Sequence, residues 1–141
     1  AYHGYSCTGL HCSVDVLERF QWNVNKVNEL LSANLKINLI NGDFEHLDIE
    51  ENCYDLVFNI GVIEHFLDKA QREKLLEKKF RICKPGGYVI SVVPNGEHPL
   101  RKEMKEKKLG GYNVPEIDYS KKLLLKEMKI FSSDVVVLPH N

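Results

Sequence analysis

No apolar run in these 141 residues approaches the roughly 18 that a membrane-spanning helix needs. The N-terminus carries no charged-then-apolar leader, so a cytoplasmic protein is expected. Net charge is also nearly absent: 19 Lys+Arg against 20 Asp+Glu leave -1, too weak a field to draw the chain to nucleic acid or an anionic membrane. There is no C-x-x-C pair, and Cys7, Cys12, Cys53 and Cys83 are scattered. Three of them lie in apolar runs or at helix ends, where a free thiol behaves as a small hydrophobe, so all four read as reduced. Cys7, His11 and Cys12 stand close together, but no second ligand pair follows at zinc-site spacing and no metal is expected. No internal repeat or low-complexity stretch interrupts the chain.

What is present is 43% hydrophobic residues, enough for one core but not comfortably for two, so a single domain over 1–141 is expected. Apolar runs of strand length alternate with helical patterns. The predicted strands are "YSCTGL" (5–10), "KINLINGD" (36–43), "YDLVFNI" (54–60), "YVISVVP" (88–94) and "DVVVLP" (134–139). Ser13 can cap a helix over 14–31 with Val16, Phe20, Val27, Leu30 and Leu31 near one face. Asp68 and Gln71 form a capping-box variant before a stripe of Leu76, Phe80 and Cys83, which "KPGG" stops. Ser120 opens a last helix, "YSKKLLLKEMKIF". This order predicts an α/β chain, a mostly parallel sheet with helices on both faces. "YDLVFNI" is apolar on both faces, as a central strand covered from each side would be. The polar stretch 95–118 is long for a connection, and predicts a lid, a binding loop or a small helical insertion.

In open parallel sheets, ligands sit beyond the carboxyl ends of the strands. Those ends read "HCS", "GDF", "NIGVIEH" and "PNG", each mixing turn-forming with polar residues. Within "NIGVIEHF", Gly61 permits close backbone approach, and Glu64 with His65 would open the following helix. Glu64 there would be favoured by the helix dipole alone, and His65 could merely fill a half-buried gap.

The segments "INLINGDFEHLDIEENCYDLVFNIGVIEHF" and "ICKPGGYVISVVPN", in this order, resemble the class I S-adenosylmethionine-dependent methyltransferases, especially those acting on small molecules. The resemblance implies a Rossmann-like doubly wound sheet and S-adenosyl-L-methionine as cofactor. It places Asp43 against the adenine amino group and Phe44 on the ring, the alternative being that Asp43 only completes an Asn-Gly-Asp turn. It also places Asn59, Ile60 and Gly61 beside the methionine and sulfonium part. The ribose carboxylate of the family is replaced by His11 at the matching position. Asp15, four residues on, is the chemically better acceptor if the strand runs longer, and the choice between them stays open.

The family's glycine-rich loop has no counterpart in this sequence. The chain begins at Ala1 and its first methionine is Met104, so the resemblance implies a fragment, incomplete at the N-terminus, whose sheet lacks its first strand. Such a piece would bind cofactor poorly alone and leave strand edges unpaired.

Direct displacement of a methyl group needs alignment and no covalent nucleophile. For a hydroxyl or amine acceptor His65 is the natural general base, with Glu64 beside it. Asn95, His98, Arg101 and Tyr112 are candidate acceptor contacts under the covering segment 95–118, although a string such as "RKEMKEKK" is more often a solvated helix face than an anion site. Without an "NPPY" tetrapeptide or a basic patch, a small-molecule acceptor is expected, with no nucleic acid and no membrane. Two rivals remain: a non-catalytic methyltransferase-like partner or regulatory module, and a nicotinamide-dependent oxidoreductase, which "GDFEHL" and "KPGG" fit less well.

Overall fold

In the computed structural model, which describes residues 4–109 and 114–139, the chain divides into two units, Ala1–Asp48 and Ile49–Asn141. The first is a strand–helix–strand unit: β1 (Cys7–His11), α1 (Val14–Leu31) and β2 (Ile37–Asn41). The two strands pair parallel, Cys7 opposite Ile37 through His11 opposite Asn41. Ser13 stands at the N-cap of α1, but its side chain makes no capping bond. The helix ends at Ser32 in the left-handed region. There Asn28 clamps the exit, its Nδ2 donating to Leu35 O and its Oδ1 accepting from Leu35 N–H at 2.7 Å. Of the α1 residues, Val24 is buried, whereas Val16, Phe20, Val27, Leu30 and Leu31 are exposed. Two strands of five residues offer too little surface to cover an 18-residue helix.

The second unit is built on β3 (Tyr54–Ile60) and β4 (Cys83–Val92), again parallel, with Leu56 opposite Tyr88 and Ile60 opposite Val92. Between them run a single 3-10 turn, Ile63–His65, and α2 (Lys69–Ile82). The Asp68 side chain caps α2 by accepting from Ala70 N–H at 3.2 Å, and Leu75, Leu76, Lys79 and Ile82 form its buried face. Then come α3 (Pro99–Glu106) and α4 (Lys121–Met128). Ser120 caps α4 through its Oγ, which accepts from Leu123 N–H at 3.1 Å.

Four expectations are corrected. "KPGG" does not stand between helix and strand: α2 stops at Ile82, and Cys83 to Gly87 already belong to β4, with a register irregularity at Tyr54/Leu56. Gly87 is needed there, because a Cβ would lie 2.7 Å from the carbonyl oxygen of Asp55. Residues 134–139 form no strand, since no neighbouring strand among the described residues offers them a hydrogen-bonded edge; Val136 and Leu138 are exposed. The β3–β4 pair is covered on one face only, by α2. Leu56, Phe58 and Ile60, with Tyr88, Ile90 and Val92 opposite them, stay exposed because no element of this unit packs there. Finally, Glu64 and His65 lie in the 3-10 turn and do not open α2, so the helix dipole is not what holds Glu64.

The elements of the second unit are pinned by a buried ionic group. Arg72 on α2 donates from Nε and Nη2 to Glu127 on α4, at 3.1 and 2.9 Å to Oε1. Its Nη1 donates to the carbonyls of Phe66 and Leu67 at 2.8 and 2.9 Å. Tyr119 donates its hydroxyl to Glu127 Oε2 at 2.6 Å. Burial and the adjacent Glu127 carboxylate together push the Tyr119 phenol well above its ordinary range. Removing one partner from a buried pair leaves the other charge uncompensated, which costs about 3 kcal/mol or more. Urea unfolding should therefore show Glu127→Gln less stable by about 3 kcal/mol, and a loss under about 0.5 kcal/mol would mean the pair carries little.

Candidate functional site

In the first unit, the parallel pair sets the predicted His11 beside Asn41 at neighbouring strand ends. β1 closes at His11 and β2 at Asn41, and the chain is tied there by Gly42 N–H donating to His11 O at 3.1 Å. Asn41 Nδ2 adds bonds to the carbonyls of His11 and Cys12, both at 3.1 Å. Asp15 is not at the strand end: it lies in the first turn of α1, exposed. His11 keeps the terminal position, but its ring is already engaged, Nδ1 accepting from Ser13 N–H at 2.9 Å. That bond leaves Nε2 as the only ring nitrogen for a ligand, carrying a hydrogen in the neutral ring.

Asp43 begins the turn that follows β2. Its Oδ1 accepts from Glu45 N–H at 2.9 Å, and its carbonyl accepts from the amides of His46 and Leu47. The turn thus uses one carboxylate oxygen. The other faces His46 Nε2 at 3.9 Å, beyond hydrogen-bond range, on a side chain about half exposed. Phe44 beside it is half-buried.

In the second unit, the geometry follows from Gly61. Its φ of +67° lies where a Cβ is disfavoured, and its N–H donates to Val92 O at 3.0 Å, so the chain turns off the end of β3 into the 3-10 turn. Glu64 is thereby buried, 1% exposed, while His65 beside it is exposed. The carbonyl of Glu64 accepts from Ile117 N–H at 2.7 Å, which draws the segment before α4 across the strand ends. Gly96 N–H donates to Tyr119 O at 2.8 Å, and a Cβ at Gly96 would meet Asp118 backbone at 2.5 Å, so only glycine lets these segments approach. The result is a cluster that the sequence did not announce: a carboxylate oxygen of Glu64, an imidazole nitrogen of His65 and a carboxylate oxygen of Glu116 all lie within 4.8 Å of one another. Such a set could hold a cation.

The remaining predicted residues fall elsewhere. Asn59 does not offer its side chain at the strand end; it points beneath the sheet, where its Oδ1 accepts from Lys79 Nζ and from Ser91 Oγ at 3.1 Å. Residues alternate along a strand, so the same register that aims Phe58 and Ile60 outward aims Asn59 at α2. Lys79 also donates to Ile90 O at 2.9 Å and Ser91 Oγ at 2.6 Å, and burial lowers its ammonium to about 8. Asn95 Oδ1 accepts from Glu97 N–H, and His98 is the N-cap residue of α3. Arg101 is not on a solvated face: it is 5% exposed, with Nη2 2.7 Å from Glu116 Oε1 and Nε 3.2 Å from Asp118 Oδ1. Tyr112 lies outside the described residues. Among the described residues no helix is long and apolar enough to cross a membrane.

Residues 1–91 match the profile of a family described as a methyltransferase domain. The chain belongs to the class I S-adenosylmethionine-dependent methyltransferases. This chain is also similar to the carboxy-S-adenosyl-L-methionine synthase of Colwellia psychrerythraea, 26% identical over 140 residues, covering 90% of this chain and 52% of the relative. It thus spans about half the length of that curated relative. Among solved structures, a methyltransferase of Thermotoga maritima superposes with a TM-score of 0.62 at 23% identity, covering 88% of this chain and 53% of the other. One from Methanosarcina mazei gives 0.67 at 16% identity, covering 92% and 69%. These likenesses show the Rossmann-like fold of the family, whose cofactor is S-adenosylmethionine.

Against that cofactor the methyltransferase's residues can be tested for fit. Asp43 fits, since its second oxygen is free to accept an exocyclic N–H. Gly61 fits too, its glycine geometry leaving the strand end open. His11 fits ribose hydroxyls less well than a carboxylate would, with one nitrogen already engaged. Sequence reasoning missed Glu116 and Lys79. Glu116 carries no spacing signal, because a backbone bond to Glu64 rather than a local pattern brings it into place. Lys79 was hidden in a helix whose other lysines are ordinary surface charges. One prediction follows from the Ser13 bond: nitrogen chemical shifts of neutral His11 should report the Nε2–H tautomer, and the Nδ1–H form would show the bond is not made.

Proposed function

We propose that this chain is the methyl-transferring domain of an enzyme that moves a methyl group from S-adenosylmethionine to a small-molecule acceptor by direct displacement. The family match over 1–91 supports this, and the observation that carries it is the free Asp43 oxygen at the carboxyl end of a parallel strand. In the first unit, Asp43 accepts from the adenine amino group, Phe44 covers the ring, and His11 meets the ribose through Nε2. In the second, considered by itself, the turn at Gly61 leaves room beside Ile60 for a ligand at the end of β3.

The sulfonium, when bound, supplies an activated methyl group and needs no covalent help from the protein. The chain's own contribution is alignment and proton management. His65, exposed at the turn beyond β3, takes the acceptor's proton as general base, and Glu64 behind it stabilises the imidazolium that forms. α3 and the stretch 114–118, which meets Glu64 through Ile117 N–H, cover the acceptor and exclude water. A cytoplasmic location belongs to the same reading. A purely regulatory module would need none of these strand-end residues, and the family match favours the enzyme.

Calorimetry with S-adenosylmethionine tests this reading. Asp43→Asn keeps the oxygen that holds the turn and removes the charge, so it should weaken binding about tenfold, the equivalent of about 1.5 kcal/mol for a hydrogen bond to a charged acceptor. Unchanged affinity would remove Asp43 from the site.

A further inference from the structure

Glu64 Oε2 is buried and has no hydrogen-bond partner, on a residue 1% exposed. A buried carboxylate without a partner is costly, and the other buried carboxylate of this unit, Glu127, is fully matched by Arg72 and Tyr119. Protonating Glu64 would lower the cost but leave an O–H that still needs an acceptor. The unmet group sits in the cluster with His65 and Glu116, and His65 opens that cluster to solvent.

The charge around it decides the class of ligand. Beside Glu64, the carboxylates of Glu116 and Asp118 face two fixed cations: Arg101, 2.7 Å from Glu116, and Lys105, 2.8 Å from Asp118 and 4.0 Å from Glu116. The Arg72–Glu127 pair nearby cancels itself. With the imidazole uncharged, three negative charges against two positive leave one unmatched negative charge. A singly charged cation neutralises it, whereas a divalent metal ion would leave an excess positive charge beside a buried guanidinium. An ammonium also has several N–H donors, enough for both carboxylates and the imidazole.

We propose that the cluster of Glu64, His65 and Glu116 is the acceptor site, and that it takes a small molecule bearing a protonated primary or secondary amine. Its role in catalysis rests on the methyl-transfer reading; its capacity to bind an amine does not. The ammonium binds to the two carboxylates and gives one proton to the imidazole nitrogen of His65. The neutral amine nitrogen then uses its lone pair to form the N–CH3 bond as the methyl–sulfur bond breaks, its electron pair going to sulfur, which leaves as the neutral thioether. The product is again an ammonium, now carrying the methyl group. Glu64 and Glu116 bind, and His65 is the catalytic residue.

The test compares benzylamine with benzyl alcohol, which share shape and differ in charge, by following amide resonances of the whole chain in nitrogen–proton correlation spectra. Benzylamine should move the resonances of Glu64, His65 and Glu116, and benzyl alcohol should not. Glu64→Gln and Glu116→Gln should each weaken benzylamine binding tenfold or more. His65→Ala should leave binding within about twofold while abolishing turnover of any amine acceptor. Equal binding of the alcohol would overturn the proposal. So would an absence of shifts with benzylamine, or selective broadening of these resonances by Mn2+ in place of amine binding, which would make the cluster a metal site. S-adenosylmethionine affinity in the Asp43→Asn comparison is independent of all these outcomes, so failure here is distinguishable from failure of the methyl-transfer reading.

Discussion

The second unit depends on one buried ion pair. Arg72 is the only side chain among the described residues seen to bond at once to α4, through Glu127, and to the turn before α2, through the carbonyls of Phe66 and Leu67. Glu127 in turn holds Tyr119, and Tyr119 holds Gly96 through its carbonyl. The segment carrying Glu116 is thereby fixed between the end of β4 and the 3-10 turn. Without the pair, the approach of Glu116 to Glu64 would depend on the Ile117–Glu64 backbone bond and the ion pair with Arg101. Buried pairs often contribute little net stability relative to apolar substitutes; here the pair fixes where a loop crosses the strand ends.

Three of the buried charged groups in the same unit are treated in three ways. Glu127 is paired and hydrogen-bonded. Lys79 is surrounded by neutral oxygens of Asn59, Ile90 and Ser91, which offset desolvation only partly, so its ammonium falls to about 8. Glu64 has no partner for one oxygen. The charged atoms of the first two are met by protein partners, and one oxygen of the third is not. That contrast is why the proposed acceptor site is placed at the end of β3.

Much of the architecture was legible because it rests on local pattern. β3 occupies 54–60 as its apolar run predicted, and Ser13, Asp68 and Ser120 all stand at N-caps. The failures have a common cause, which is dependence on partners that sequence pattern does not show. "DVVVLP" has strand composition but no edge to join. "KPGG" has the composition of a turn, yet the approach of Gly87 to Asp55 draws it into β4. The positions of His11, Asp43 and Gly61 at or just beyond strand ends were legible because the strand pattern locates them. The alternation along β3, not apparent in the motif, sends the side chain of Asn59 beneath the sheet. Glu116 could not be read at all, being placed by long-range backbone bonds and an ion pair with Arg101.

The central claim is that the strand ends of this methyltransferase chain hold S-adenosylmethionine, and it can be tested without knowing the acceptor. Titration with S-adenosylhomocysteine, followed by nitrogen–proton correlation spectroscopy, should move the amide resonances of His11, Asp43, Phe44 and Gly61 and leave those of α3 in place. Saturating ligand that moves none of the four, or moves α3 alone, would contradict the account.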